Sequence, residues 1–283
     1  MITITGANGQ LGRLVIHNLL QQLPARNIVA AVRRPDQARD LEALGVQLRQ
    51  ADYDRPETLA AAFAGTEKLL LISSSEVGRR LPQHEAVIDA ARQAGVALLA
   101  YTSLLHADSS PLPLAAEHKA TEARLQASGL PHVILRNGWY TENYLASLPV
   151  ALEHGVLLGC AGQGRIASAA RADYAAAAAA VLTRPDQAGR IYELAGDSAY
   201  TLAELAAEIS RQAGKPVRYQ DLPEADYRAA LLGAGLPEGL AVLLAESDSG
   251  AARGGLYDDS RQLSQLIGRP STPLAAQVAQ ALA

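Results

Sequence analysis

The sequence predicts an α/β fold built on a doubly wound parallel sheet. Three observations carry this expectation. Short, nearly all-apolar runs recur through the first half of the chain, as strands covered by helices on both faces require. Amphipathic stretches ending in glycine lie between them, so each βα unit returns the chain for a parallel neighbour. A glycine-spaced turn, "ITGANGQLGRLV" at residues 4–15, joins the first run to the first amphipathic stretch.

The strand-like runs are "MITIT" at 1–5 and the segments 27–32, 46–51, 68–74, 96–103 and 132–136. Residues 54–65, "DRPETLAAAFAG", carry helix punctuation: Asp54 as N-cap, Pro56 in the first turn, Glu57 three residues after the cap, Gly65 as terminator. Gly45, Gly95 and Gly129 close other segments in the same way. After Arg136 the rhythm breaks. One more strand is expected at 191–196, a helix over about 201–213, a helical region over 223–246, a polar stretch over 247–260, and a final helix. The expected division is a dinucleotide-binding domain at 1–150, with the strand near 191–196 returning to its sheet, and a smaller substrate or cap region at 151–283.

Composition narrows the function classes. Of 283 residues, 49% are apolar and 19% charged, which suits a packed core. A net charge of −4 gives no basic surface for nucleic acid or an anionic membrane. Cys160 is the single cysteine, and the six histidines lack zinc-type spacing, so no metal is expected. The longest apolar run, residues 174–182, is too short to span a bilayer. The chain opens directly into a strand-like run with no signal-peptide pattern, so the expected location is the cytoplasm.

The glycine turn has the parts of a phosphate cradle. Gly6, Gly9 and Gly12 let the chain turn sharply and approach a pyrophosphate, while the helix that follows points free N–H groups at the anion. Its position after the first strand of a βαβ unit separates it from an ordinary turn. The second strand ends in "AAVRRP", where an acid would have accepted from the ribose of NAD; Arg33 there suits the 2′-phosphate of NADP instead. Ends of later strands, at residues 72–75 and 101–103, lie at the same cleft, so Ser73, Ser74, Ser75 and Tyr101 are expected near ribose and nicotinamide, with plain turn chemistry as the other reading.

Many short-chain dehydrogenases carry a Tyr-x-x-x-Lys pair for proton exchange with an alcohol. No tyrosine in this chain has lysine four residues later. His118 and Glu122 stand four apart on the corresponding helix, open to a functional, a structural or a cofactor-positioning reading. Without the pair, quinone reduction is the less demanding chemistry, because positioning and polar donors suffice.

The segment "RNGWYTENYLAS" (136–147), with "TGANGQLG", "KLLLISSSEVGRR", "AYTSLLHADSSPL", "RADYAAAA", "YELAGDSAYTL" and "GRPSTPL", resembles the NmrA-like atypical short-chain dehydrogenases/reductases, and within them bacterial NAD(P)H:quinone oxidoreductases of type 2. The resemblance covers essentially the whole chain. It implies a Rossmann domain with a small C-terminal substrate domain, NADPH as hydride donor, and a small quinone as acceptor. Carried over, it implies that Gly6, Ala7, Asn8, Gly9, Gln10 and Leu11, with Gly12 closing the loop, Arg33, Ser73–Ser75, and Asn137, Gly138, Trp139, Tyr140, Thr141 and Glu142 hold the cofactor. Asn143 would lie beside nicotinamide and substrate, with Tyr140 a further donor. Read without the resemblance, "NGWYTENY" is a polar, aromatic cleft loop in which Trp139 and Tyr144 could simply pack a domain junction. Arg79 stands where an uncharged amide-type side chain is expected in relatives, and its role is left open. NmrA-like proteins keep one alternative function in view: an NADP(H)-sensing regulator that does not turn the cofactor over.

Overall fold

Every apolar run expected in the first half forms a strand, with its ends moved by a few residues. The computed structural model describes all residues, 1–283. In chain order the elements begin β1 (Ile2–Ile4), α1 (Gln10–Leu20), β2 (Ile28–Val32), α2 (Arg39–Ala43), β3 (Gln47–Gln50) and α3 (Pro56–Ala62). They continue β4 (Lys68–Leu71), α4 (Arg80–Gln93), β5 (Leu98–Leu104), α5 (Ala115–Ser128), β6 (His132–Asn137), α6 (Thr141–Leu145), α7 (Leu148–His154) and β7 (Val156–Gly159). The chain ends α8 (Arg171–Thr183), β8 (Ile191–Leu194), α9 (Leu202–Ala213), β9 (Arg218–Asp221), α10 (Glu224–Gly233), α11 (Glu238–Ala252), α12 (Gln262–Ile267) and α13 (Leu274–Leu282).

Seven strands form one sheet in the order β3-β2-β1-β4-β5-β6-β8, and the expected return of the strand near 191–196 is realised in β8. Neighbours from β3 to β6 pair in parallel. Strand order reverses between β1 and β4, and that switch point opens a crevice at their carboxyl ends.

Two compact units share the chain. The first comprises 1–107, 116–137 and 171–192; the second comprises 108–115, 138–170 and 193–283. The boundary expected at 150 falls inside α7 of the second unit, and the stretch 171–192 rejoins the first. In the first unit, Leu59 and Phe63 with Val87, Ile88, Ala91 and Leu125 cover one sheet face, built from Leu69, Leu71, Leu99 and Tyr101. On the other face α1 packs against α8. The alanines of α8 at 175, 177, 178 and 179 are buried, so small side chains let the two helices approach closely. No helix is long and apolar enough to cross a membrane.

The second unit holds a two-stranded parallel sheet, β7 with β9, in register Val156↔Arg218 to Gly159↔Asp221. Its helix α9 begins as expected near Thr201 with a capping box: Thr201 Oγ1 accepts from the Glu204 N–H at 3.2 Å, and Glu204 accepts from the Thr201 N–H at 2.7 Å. Two local expectations fail. Arg55, not Asp54, is the N-cap of α3; Asp54 instead accepts from Arg79 and Gln83 at 2.9 and 3.1 Å. The helical region does not end at 246, because α11 runs to Ala252 and buries Ser247 and Asp248. The region 223–246 is two helices, broken at Gly235, where φ is +86°.

Candidate functional site

In the first unit, the glycine turn sits on the carboxyl end of β1 at the switch point. Gly6 has φ of +58°, a conformation that glycine adopts without strain. Its carbonyl accepts from the Gly9 N–H at 2.9 Å, closing the turn. A Cβ on Gly12 would stand 2.6 Å from that same carbonyl oxygen and 2.7 Å from Ala7 Cα, so only glycine lets α1 begin this close to the strand. The first turn of α1 holds no acid, and Gly6, Gly9 and Gln10 are exposed. An open helix N-terminus with bare backbone and no competing carboxylate fits a pyrophosphate.

Two neighbouring strand ends complete this edge. Arg33 follows β2, and its side chain, 59% exposed, pairs with Glu76 at 3.2 Å. Ser73, Ser74 and Ser75 follow β4, and buried groups pin them from below. Thr102 Oγ1 accepts from the Ser73 N–H at 2.9 Å, and His84 Nε2 accepts from the Ser74 N–H at 2.9 Å. Arg80 Nε donates to the Ser74 carbonyl at 2.5 Å. These contacts fix the imidazole tautomer: Nε2 has no proton, so Nδ1–H donates to Thr121 Oγ1 at 3.0 Å. Burial first, and the Arg80 charge second, push His84 down to about 4, which keeps it neutral. Thr5 performs the same task one strand over. Its hydroxyl accepts from Tyr53 Oη and from the Ile72 N–H at 3.2 Å, joining the ends of β1 and β4. His84, Arg80, Thr121, Thr5 and Tyr53 were not identified as site residues in the sequence; Thr5 and Arg80 lie within segments that carry the resemblance, but no local spacing reveals the contacts that these five make beneath the backbone.

Tyr101 does not belong to this edge. β5 runs three residues beyond it to Leu104, and Tyr101 is fully buried with its hydroxyl against His118 Nδ1 at 2.8 Å. It packs edge-on to His84, so its place is the core beneath the serine loop. His118 and Glu122 do not pair with each other. Glu122 accepts from Ser103 at 2.5 Å and from Arg136 at 3.0 and 2.6 Å, a bidentate pair buried at the ends of β5 and β6. Arg79 lies on the surface, bound to Glu76 and Asp54. Asn137 ends β6 at 5% exposure, and its Oδ1 has no hydrogen-bond partner. A buried acceptor left open at this edge is a place for a donor.

In the second unit, Gly138 donates its N–H to the Leu194 carbonyl at 2.7 Å. Trp139 is buried, and Tyr140 bridges to Ala169 in extended pairing. The Thr141 N–H continues that pairing to the Ala169 carbonyl at 3.0 Å, and its hydroxyl meets Ser168 Oγ at 2.7 Å. Glu142 and Asn143 follow, both half-buried, on the short helix α6. A cavity of about 340 Å³ opens beside Glu142, Leu145 and Ala146 of α6, with Ala170 and Gln277, Gln280 and Ala281 of α13 on its other walls. No group of three His, Cys, Asp or Glu residues is placed to hold a metal ion.

The model of the NAD(P)H-binding family matches residues 6–185. Quinone oxidoreductase 2 of Escherichia coli is 61% identical over 278 residues, 98% of this chain and 97% of the relative. A crystal structure of the NADPH-dependent quinone oxidoreductase of that organism complexed with NADPH superposes with a TM-score of 0.98, at 60% identity and full coverage of both chains. The Citrobacter sp. triphenylmethane reductase complexed with NADP(H) has a TM-score of 0.96 at 39% identity, covering 99% of this chain and 100% of that one. Matched through more than half its length, glycine turn included, the chain belongs to the NAD(P)H-binding family.

Proposed function

We propose that this protein is an NADPH-dependent quinone reductase. The observation that carries the reading is a near-full-length likeness to quinone oxidoreductase 2. The Arg33-bearing edge of the first unit supports it. Residues Gly6–Gly12 hold the pyrophosphate through backbone N–H groups. Arg33 exchanges its pairing with Glu76 for the 2′-phosphate, which selects NADPH over NADH. Ser73–Ser75 and Asn137–Glu142 complete the cofactor's contacts, and the open Oδ1 of Asn137 is suited to a donor of the nicotinamide side.

When bound, NADPH supplies the hydride that takes a quinone to a hydroquinone. The chain's part is to bind, orient and stabilise. The Asn143 amide and the Tyr140 hydroxyl donate to the quinone oxygen on which charge develops. No dedicated proton donor is required, because the hydroquinone anion formed by hydride addition takes its proton from water. This agrees with the missing Tyr-x-x-x-Lys pair. A sensing role without turnover needs the same cofactor site and no acceptor chemistry; the full-length likeness to a quinone oxidoreductase favours the enzyme. Atypical short-chain reductase is the class this assigns. A cytoplasmic location suits an NADPH-dependent chain with one buried, unpaired cysteine.

The test is NADPH oxidation by the purified protein with and without benzoquinone. Quinone-dependent oxidation is expected, faster with NADPH than with NADH. Tight NADPH binding without quinone-dependent oxidation would favour the sensor.

A further inference from the structure

The second unit buries a carboxylate among phenols and other acids. Asp248, on α11, is 2% exposed. Its Oδ1 accepts from Tyr144 Oη at 3.0 Å, and its Oδ2 accepts from the Cys160 N–H at 3.0 Å. The groups that face it are Tyr144 of α6, Cys160 after β7, Tyr200 before α9, Tyr219 and Asp221 of β9, and Tyr227 of α10. None is a cation, so the desolvation cost of this carboxylate is offset by two hydrogen bonds alone. The backbone is shaped to admit it: a Cβ on Gly159 would stand 2.8 Å from Asp248 Oδ2 and 2.7 Å from Leu202 Cδ1.

Its partner Tyr144 sits on α6, which carries Asn143. Five residues are too few for a helix to hold itself, so tertiary contacts set where α6 lies. Two buried contacts do so. At the start, Thr141 Oγ1 meets Ser168 Oγ at 2.7 Å, and Ser168 meets Tyr200 Oη at 2.6 Å. In the last turn, Tyr144 meets Asp248. Thr141 and Tyr144, three apart, share the buried face, while the helical twist turns Asn143 away from it.

We propose that Asp248 is a positioning residue for quinone reduction, acting through Tyr144 to fix α6 and hence the amide of Asn143. The proposal rests on the reading that Asn143 serves the acceptor. Burial pushes the Asp248 carboxyl up to about 6, so in mild acid it takes a proton and becomes a weaker, uncharged acceptor for the Tyr144 hydroxyl. Turnover then falls on the acid side of that value.

The full-length protein and its Asp248→Asn, Tyr144→Phe and Asn143→Ala variants test this, with benzoquinone turnover read against pH and NADPH affinity read by fluorescence. Asp248→Asn and Tyr144→Phe should each lower kcat about tenfold, the worth of one charge-assisted hydrogen bond, with NADPH affinity changed by less than about twofold. The double variant should lose no more than either single one, because both act through one contact. The acid limb near pH 6 should vanish in Asp248→Asn. Unchanged kcat in Tyr144→Phe overturns the proposal, as does a loss of NADPH affinity equal to the loss of kcat, which would mark a merely structural role. Asn143→Ala separates the two levels. If it keeps full turnover, the acceptor reading fails and this proposal with it; if it alone loses turnover, only the proposal about Asp248 fails.

Discussion

Arg33 and Glu122 show how differently a charge acts at two places on one sheet edge. Arg33 is exposed, and its pair with Glu76 is screened by water, so the pair adds little to stability. Its value lies in what it can bind. Arg33→Ala should weaken NADPH by about tenfold or more, a charge-assisted contact's worth, while leaving NADH within about twofold. Titration of both cofactors checks this, and equal losses would remove Arg33 from the 2′-phosphate. Glu122 is the opposite case, buried and bidentate with Arg136. Glu122→Ala removes the bidentate acceptor of the buried Arg136 guanidinium and should cost about 3 kcal/mol in denaturant unfolding. A cost near zero would contradict the pairing. Arg33 could be singled out because a strand end about twenty residues past a glycine turn is where a contact to the ribose is expected. Glu122 was visible only as a member of a helix-spaced pair with His118, and its real partners lie on β5 and β6, which local spacing cannot reveal.

At the scale of elements, the serine loop after β4 depends on what α4 and α5 place beneath it. His84 and His118 are neutral because burial pushes them down to about 4 and about 3. An unfolded chain protonates both below about 6.5, so in that window the unfolded state binds more protons and stability falls as pH falls. Asp248 has the opposite sign. Its carboxyl is raised to about 6, so the folded state holds the extra proton, and that contribution is lost as pH rises through 6. Two histidines against one aspartate should leave the protein losing thermal stability from neutral pH toward about pH 4. His84→Gln offers Ser74 an acceptor and Thr121 a donor without taking a charge, and its Tm should fall less over the same range. An identical acid slope in wild type and variant would contradict the neutral, buried imidazole. Element legibility followed the same line. Strands β1 to β6 and the helix α9 were readable because apolar runs and helical spacing are local signals. The strands β7 and β9 were not, since "VLLG" and "RYQD" are short and half exposed, and pair only with each other. Likewise the extension of α11 past residue 246 was not legible, because Ser247, Asp248, Ser249 and Gly250 are poor helix formers held by tertiary burial.

Across the whole molecule, the chain crosses between its two units several times, which a single boundary at 150 could not anticipate. The cause is the sheet: α8 packs on α1, and β8 adds to β6, so residues 171–192 return to the first unit after the second has begun. The order of strands then places the phosphate turn at the switch point. Cofactor binding was legible because it rests on this topology and on glycines whose backbone cannot tolerate a Cβ. The acceptor class was legible only through family resemblance, which residues 136–147 carry most specifically, since no local spacing in this chain points to a quinone. The claim that these parts make a two-electron quinone reductase is tested most directly by product balance. Under anaerobic conditions, NADPH consumed and hydroquinone formed should rise together, one for one, with benzoquinone as acceptor. NADPH that stays bound and unconsumed while no hydroquinone forms would contradict the account.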